Sequence, residues 1–434
     1  MEILVYSAQK TSRLSYTLNL IINDVLGHNY MITNDLDTFK NSKSVKFSYA
    51  FQSDSEQLNV IPNGLLFKTG VDDLNIVVSG DEKTPEFFRN GDALLGFDFL
   101  SASFYLASRY EEYLPHLKDK HGRFAAAESM AFKNDFLDLP LINIWAGKFF
   151  NHLKSISDVT IEDKRKYSFL PSIDVDNAYA YKEKGLVRTM GAFGRSLLSA
   201  NINDLKVRTR TILNLEHDPY DTFDQFIALE KKYGLNQLFF FLVGDYGMND
   251  KNVPIYSRKF QSLIKHVNDY CQVGLHPSFA SNSEPERLNL EKERLTSVVH
   301  ESISKSRQHF LILDLPNTYR ELIDNDLMHD YSMGYPDLPG FRASICSPYK
   351  FYDLELEKET QLTIHPFSFM EATFKYYQPK EFEEIIDLVS KQIETIRNVK
   401  GQFCVLWHSD SLSETEEWKG WNSLYEKVVK LALP

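Results

Sequence analysis

The stretch YSFLPSIDVD, residues 167–176, decides the fold class, because it is a short apolar segment that ends in two closely spaced carboxylates. Six later apolar segments each end in, or carry, a residue type used in catalysis. They are LFFFLVGD (238–245), CQVGLH (271–276), SRQHFLIL (306–313), PGFRASIC (339–346), LTIH (362–365) and QFCVLWH (402–408). Helix-like stretches at 254–270, 284–301, 317–326 and 380–398 separate most of them. This alternation predicts an α/β fold whose seven parallel strands close into a barrel, with functional residues at their carboxyl ends.

The residues before this series have a different pattern. Strands are predicted at 3–8 and 45–51, and helices at 13–26, 97–114 and 139–153. The polar stretch 81–92 is predicted as loop, and no cluster of catalytic residue types occurs in this part. We therefore expect a smaller α/β accessory domain over 1–160, a boundary within the charged segment 155–166, and the barrel over 167–434.

Composition excludes several function classes. The chain has 434 residues and a net charge of −12, so nothing in its overall charge favours nucleic acid or an anionic membrane surface. No window approaches the roughly 18–20 apolar residues of a membrane span, and the N-terminus lacks signal-peptide features. The three cysteines, Cys271, Cys346 and Cys404, are widely spaced, which predicts buried reduced thiols. A cytoplasmic location is expected.

The sequence Asp174-Val175-Asp176 is the sharpest candidate site. If Val175 points into the barrel wall, both carboxylates emerge together at the end of a strand. Two such carboxylates resist joint ionisation unless a cation is near, which suits one metal ligand and one general base. An isolated motif of this kind is also compatible with a simple turn.

Two histidines extend this candidate site. His276 follows Gly274, which permits close backbone approach, and His309 lies in a run of three polar residues that would be costly to bury unpaired. Each histidine alone is compatible with a structural role. Together with Asp176 they form an Asp-His-His set of the kind that binds a catalytic divalent metal and leaves positions open for water and substrate.

The chain from about residue 167 resembles the polysaccharide deacetylases of carbohydrate esterase family 4 (NodB homology), in particular a bacterial branch with a DVD motif and an accessory N-terminal domain. The matching stretches are SIDVDNAYAYKEKG (172–185), VGLHPSFASN (273–282), SRQHFLILDLPNTYRELID (306–324), MGYPDLPGFRASICSPYKFYDL (333–354) and VLWHSDSLSETEEWKGW (405–421). The resemblance implies a deformed (β/α)7 barrel. It also implies metal-dependent removal of acetyl groups from a sugar or polysaccharide precursor, so the expected substrate is a carbohydrate.

The resemblance further implies a metal site. Asp176 would be a ligand, and His276 matches the first histidine of the family's HxxxH motif. The position four residues later is Ala280, so the usual second histidine is missing, and His309 is the candidate replacement. Zinc is the leading candidate for the ion, because two imidazoles and one carboxylate suit it; nickel, cobalt, iron and manganese are alternatives.

The catalytic roles are likewise implied by the resemblance. Asp174 would be the base that activates water, and His408 would protonate the leaving amine. Either Arg307 or Arg342 would hold Asp174 in place or bind a substrate oxygen, and Trp407 would wall the acetyl pocket.

Two other functions stay open at this point. One is a barrel without catalysis that binds a glycan or a partner enzyme, for which the missing HxxxH histidine is the main support. The other is a different metal-dependent amidohydrolase, because a fold does not fix its substrate.

Overall fold

The computed structural model describes residues 2–51, 59–91, 94–157, 160–198 and 202–434, with the side chains of 187 and 195–197 left out. The architecture is mixed α/β, as predicted. Its parallel strands form two main sheets, one before residue 61 and one after residue 167. No helix in this described part of the chain is both long and apolar enough to cross a membrane.

The first sheet is parallel and has the strand order β2-β1-β3-β4. The elements of this part are β1 Glu2–Tyr6, α1 Ser12–Leu18, β2 Asn29–Thr33, α2 Leu36–Asn41, β3 Lys46–Tyr49, β4 Asn59–Val60, β5 Ser79–Asp81, β6 Thr84–Glu86, α3 Phe99–Ala107, α4 Met130–Lys133 and α5 Leu141–Ile156. A π-helical turn, Asn19–Val25, extends α1 to nearly the predicted end. The helix predicted over 97–114 ends earlier, because Arg109 has a left-handed backbone (φ 54°). Residues 81 and 84–86 of the predicted loop 81–92 belong to the β5–β6 hairpin, residues 87–91 form no named helix or strand, and residue 92 lies outside the described residues.

The second sheet has the strand order β12-β13-β11-β10-β9-β8-β7-β15-β14 and is parallel except for the β12–β13 pair. Its strands are β7 Ser168–Val175, β8 Leu238–Phe241, β9 Gln272–Leu275, β10 Lys305–Ser306, β11 His329–Asp330, β12 Tyr349–Asp353, β13 Lys358–Ile364, β14 Phe369–Met370 and β15 Gln402–His408. The helices are α6 Leu186–Leu198, α7 Ile202–Ile212, α8 Phe223–Tyr233, α9 Arg258–Asn268, α10 Glu286–Val299, α11 Asn317–Asp324, α12 Phe382–Val399 and α13 Trp421–Ala432. β12 and β14 are the two edge strands of this order, and within the described residues they are not paired with each other. Closure of the sheet into a barrel therefore stays a prediction.

Of the seven predicted strands, one is wrong and one is much shortened. Residues 339–346, all described, form turns rather than a strand, because Gly340 and Ser344 have positive φ and the Ser344 carbonyl accepts a hydrogen bond from Ile142 of α5. The segment 306–313 keeps only the last residue of β10 and then turns, because Phe310 and Leu311 both have left-handed backbones. His309 therefore follows a strand rather than lying within one.

One continuous hydrophobic core includes residues from both predicted domains. The buried Glu112 carboxylate lies 2.6 Å from Nη2 of Arg342, and Arg13 is paired with Glu357. Asn143 donates a hydrogen bond to Ser347, again across the predicted boundary. Described residues from the first 160 are thus packed into the same core as the second sheet, and the division into domains stays a prediction.

Candidate metal and catalytic site

A cavity of about 270 Å³ lies at the carboxyl ends of β7, β9 and β15. Five of the seven predicted site residues line it, namely Asp174, Asp176, His276, His309 and His408. The other lining residues are Arg123, Asn249, Lys251, Gln308, Phe310, Leu311, Pro336, Met370, Ala372, Tyr376, Tyr377 and Leu406. Most of the candidate residues therefore lie together, as expected for residues at the carboxyl ends of parallel strands.

Strand alternation explains how β7 presents its two carboxylates. Asp174 and Asp176 line the cavity, whereas Val175 between them is 1% exposed and belongs to the main core, as the sequence interpretation required. The same alternation corrects the prediction for Trp407. Leu406 and His408 line the cavity, but Trp407 points to the other face and packs on Tyr425 with ring centroids 4.9 Å apart. Trp407 therefore does not wall the cavity.

Close strand spacing depends on Gly274 in β9. A Cβ atom at this position would lie 2.7 Å from the ring of Phe240 on the neighbouring strand and 3.0 Å from the carbonyl oxygen of Lys305. Only glycine fits without displacing these atoms, which agrees with the close approach predicted from the sequence. This packing fixes the strand end from which His276 projects.

Asp176, His276 and His309 form a group that could hold a metal ion, with one ligand atom from each lying within 4.8 Å of the others. Asp176 Oδ1 is 3.1 Å from His276 Nε2, and Asp176 Oδ2 is 3.6 Å from His309 Nε2. The Asp176 Oδ1 atom is buried and has no hydrogen-bond partner of standard geometry. A buried carboxylate oxygen without such a partner is the kind of atom that a cation would satisfy.

The other ring nitrogen of each histidine is already engaged. His276 Nδ1 lies 2.6 Å from the carbonyl oxygen of Arg307, which can only accept, so Nδ1 carries a proton and Nε2 is the nitrogen that could bind a metal. His309 Nδ1 lies 2.9 Å from Asp250 Oδ1 and is fixed in the same way. Metal-binding histidines commonly show this pattern, in which a carbonyl or carboxylate orients the ring.

Asp250 was not identified from the sequence, because it lies in a polar loop without any periodicity. Its carboxylate also accepts hydrogen bonds from the backbone N–H groups of Phe279 and Ala280, at 2.8 Å and 3.2 Å. The Ala280 position, where the resemblance would place a second histidine, thus contributes its backbone to the support of His309. Burial by itself would lower the pKa of His309, but the neighbouring carboxylates of Asp176 and Asp250 raise it to about 9.

Arg307 is the arginine that contacts Asp174. Its Nη1 donates to Asp174 Oδ1 at 2.8 Å, its Nη2 to Ser172 Oγ at 2.6 Å, and its Nε to the carbonyl of Tyr331 at 2.9 Å. The residue is fully buried, with the guanidinium 4.6 Å from the ring centre of Phe240. These bonds fix the orientation of the Asp174 carboxylate and neutralise one of its oxygens.

Arg342 lies away from the cavity. Its guanidinium makes a bidentate pair with Glu112, at 2.9 Å and 2.6 Å, and is 1% exposed. The two arginines that the sequence left as alternatives are therefore separated by the structure, with Arg307 beside Asp174 and Arg342 linking the two halves of the core.

His408 lies directly opposite Asp174 in the β15–β7 register. Its Nδ1 is 2.9 Å from Glu371 Oε1, and its backbone N–H donates to the same oxygen at 2.7 Å. Burial would lower the pKa of His408, but Glu371, followed by Asp176 and Asp174, raises it well above its ordinary value. Glu371 follows the two-residue strand β14, which is too short to leave a periodic signal in the sequence.

One residue from the first part of the chain also lines the cavity, which the sequence did not indicate. Arg123 lines the cavity, and its Nη1 donates to the carbonyl of Phe310 at 2.8 Å while its Nε donates to Asp119 at 2.7 Å. The contact holds the left-handed turn that follows His309, since Phe310 has φ 60° and Leu311 φ 56°. Such conformations are strained for bulky residues and persist only when their surroundings enforce them.

Comparisons with known proteins cover the two parts of the chain differently. Residues 3–158 match the model of a family described as a family of unknown function (DUF7033). No curated protein matches the chain.

Among solved structures, a "putative polysaccharide deacetylase" from Mycobacterium smegmatis is 13% identical, covers 63% of this chain and 86% of its own, and has a TM-score of 0.39. The polysaccharide deacetylase Bc1974 from Bacillus cereus is 9% identical over 62% of this chain and 88% of its own, with a TM-score of 0.31. A mutant of BA3943, a family 4 pseudoenzyme with restored activity, is 12% identical over 64% of this chain and 68% of its own, with a TM-score of 0.28. Two of these structural neighbours are thus described as polysaccharide deacetylases, and the third as a mutated pseudoenzyme of carbohydrate esterase family 4.

Proposed function

We propose that the protein is a metal-dependent hydrolase that removes acetyl groups from an N-acetylated sugar or polysaccharide precursor. One observation carries this proposal. Two imidazole Nε2 atoms, each with its Nδ1 already engaged, lie close to Asp176 in a cavity that is also lined by the arginine-held Asp174 and by His408. Metal ligands, a base and an acid are the parts that hydrolysis of an unactivated amide requires.

The residues present fit a divalent ion. Asp176, His276 and His309 would hold it, and the buried Oδ1 of Asp176, which has no hydrogen-bond partner of standard geometry, would gain one. When bound, such an ion supplies Lewis acidity, which polarises an acyl carbonyl and lowers the pKa of water. Zinc suits two imidazoles and one carboxylate best, and nickel, cobalt, iron and manganese are the alternatives that metal analysis would distinguish.

Asp174 is proposed as the general base. Because Arg307 occupies Oδ1, the second oxygen, Oδ2, is the one to accept a proton from the attacking water. The oxygen of that water forms the new bond to the acetyl carbon. Arg307 acts through Asp174 by fixing its carboxylate, and is therefore a positioning residue.

His408 is proposed as the general acid. Glu371 occupies Nδ1, so Nε2 is the nitrogen that would donate a proton to the sugar nitrogen as the C–N bond breaks. The products are acetate and a free amine. Protonation is essential because an amide nitrogen is a very poor leaving group as an anion.

The cavity wall favours a saccharide. Tyr376 and Tyr377 line it and are 56% and 39% exposed, and Phe310 lines the same cavity. Flat aromatic surfaces beside hydrogen-bonding groups suit a sugar ring, which combines an apolar face with polar edges.

Two measurements test the proposal. Metal analysis of the purified protein should give about one divalent ion per chain, and Asp176→Ala should lose it. Acetate release from N-acetylglucosamine oligomers and nucleotide sugars should fall at least about 100-fold in Asp174→Asn, with metal content retained. Equal, negligible metal in the parent and Asp176→Ala proteins would overturn the metal site, and activity that survives Asp174→Asn would overturn the base. Metal binding with hydrolysis only of amides that are not sugar acetamides would instead identify another amidohydrolase.

A further inference from the structure

The helical hairpin α6–α7 exposes large apolar side chains. Leu186, Met190, Leu198 and Ile202 are 83%, 72%, 92% and 76% exposed. Leu186 and Met190 are four residues apart and so lie on one face of α6. Single exposed apolar residues are ordinary, whereas several together on adjoining helices mark an interaction surface.

The loop that packs beside α6 adds to this surface. Tyr246, Met248 and Tyr256 are 55%, 88% and 81% exposed. Arg188 of α6 joins the two segments, with its guanidinium 3.9 Å from the ring centre of Tyr246 and its Nη1 donating to the Asn252 carbonyl at 2.9 Å. We call the hairpin and this loop, residues 186–198, 202–212 and 246–256, the apolar-basic surface.

The charge of the hairpin is opposite to that of the whole chain. Residues 186–212 contain five Lys and Arg residues and one Asp, a net charge of +4, in a chain whose net charge is −12. Lys206 is exposed on α7, and Arg210 is also exposed but is paired with Glu216, which lies just beyond the end of this helix. The net charge of the whole chain favours no binding to an anionic membrane, but this local region is basic.

We propose that the apolar-basic surface docks the protein on an anionic phospholipid bilayer. Exposed Leu, Met and Tyr side chains would enter the boundary between headgroups and acyl chains, and the basic side chains would contact the lipid phosphates. Each Lys or Arg near an anionic leaflet contributes about a fivefold gain in partitioning. A basic helix with exposed apolar residues is typical of binding in the membrane interface, and no membrane-spanning segment is needed.

The apolar-basic surface adjoins the cavity. Arg188 Nη2 donates to the carbonyl of Lys251 at 2.9 Å, and Lys251 itself lines the cavity. Docking through this surface would bring the cavity mouth to the membrane interface, where saccharides carried on lipids are located. The docking itself goes beyond the proposed deacetylase activity and does not depend on it.

Vesicle co-sedimentation of the 434-residue chain tests the inference. We expect binding to phosphatidylcholine vesicles containing 30% phosphatidylglycerol and at least tenfold weaker binding to pure phosphatidylcholine (about two basic contacts). The double substitution Leu186→Gln/Met190→Gln and the single substitution Lys206→Glu should each weaken binding to the anionic vesicles severalfold. The matched control Val77→Gln/Leu117→Gln replaces side chains that are 71% and 70% exposed elsewhere, and should bind as the parent does.

Three outcomes would overturn the inference: no binding to anionic vesicles, equal binding to both vesicle types, or equal loss in the control variant. Light scattering of the parent protein at about 1 and 100 μM tests self-association; a dimer that Leu186→Gln/Met190→Gln converts to a monomer would assign the surface to a second copy instead. Acetate release from a soluble substrate should be unchanged in these variants, so failure of docking and failure of the deacetylase proposal are distinguishable.

Discussion

His309 Nδ1 lies 2.9 Å from Asp250 Oδ1, although the two residues are 59 positions apart in the sequence. The contact fixes the orientation of the imidazole and leaves Nε2 free to face Asp176, 3.6 Å away. The position of a proposed metal ligand is thus set by a loop carboxylate that itself accepts two backbone hydrogen bonds.

We therefore expect Asp250→Ala to weaken metal binding about 10–100-fold, because outer residues that orient a ligand contribute this much to metal affinity. Competition with a chromophoric chelator measures the change. The control Asp245→Ala lies in the same loop but is paired on the surface with Arg287 and Arg294. Equal affinities in the Asp250 and Asp245 variants would contradict the orienting role.

Glu371→Gln should shift the pH dependence of kcat. Glu371 is the largest influence raising the pKa of His408 against the effect of burial, so its neutralisation lowers that pKa. A general acid works only while protonated, and the alkaline limb of the kcat profile should therefore move to lower pH. An alkaline limb that stays in place would show that another group donates the proton.

Arg307→Lys should lower kcat roughly 100-fold while leaving metal content unchanged, because an ammonium cannot reproduce the three contacts that orient Asp174. Steady-state kinetics with metal analysis measures this. Arg342→Lys is the matched control, since it is equally buried but pairs with Glu112. It should lower the free energy of unfolding by about 1–3 kcal/mol and leave kcat per folded molecule unchanged. A comparable fall in kcat in both variants would mean that general destabilisation, not positioning, is responsible.

Arg123→Ala should reduce metal affinity about tenfold, although Arg123 is not a candidate ligand. The substitution removes the donor to the Phe310 carbonyl and releases the strained turn after His309. Chelator competition is again the measurement. Lys118→Ala, which removes an exposed partner of Asp314 in the same loop region, should bind metal as the parent does.

Asp24→Asn should change how stability depends on pH. Burial, assisted by Glu359, raises the pKa of Asp24 to about 7 from an ordinary value near 3.8. Between these values the folded state holds a proton that the unfolded state lacks, so the parent loses stability as pH rises from about 4 to 7. The asparagine variant lacks this loss, so its stability relative to the parent should rise by up to about 4 kcal/mol between pH 4 and pH 8. Urea unfolding of the variant and the parent at pH 4 and pH 8 tests this. If the free energies of unfolding of the two proteins differed by the same amount at both pH values, the prediction would be contradicted.

The parts of the site that the sequence predicted are those governed by strand periodicity. Asp174, Asp176 and His276 lie at or just beyond the ends of apolar strands, and His408 ends another, so a simple alternation rule was enough to group them. His309 was also grouped with them, but as part of a strand rather than of the turn it occupies.

The parts that the sequence did not predict depend on contacts between distant loops. Asp250, Glu371 and Arg123 all lie outside strands, where no spacing rule says which partner a charged side chain will meet. Arg342 illustrates the opposite error, in which a segment with the composition of a strand does not form one. Its segment resembles a strand in composition, but positive φ at Gly340 and Ser344 prevents strand geometry, and its partner Glu112 lies 230 residues away.

The pairing of β15 with β7 has a consequence for synthesis of the protein on the ribosome. The three proposed metal ligands have all been translated by residue 309, but His408 arrives 99 residues later. At about 5–20 residues per second this interval lasts roughly 5–20 s. A nascent chain could thus acquire metal before it can carry out proton transfer to a leaving group. Until β15 has been synthesised and has paired with β7, a metal-loaded site would therefore lack its general acid and would not catalyse hydrolysis.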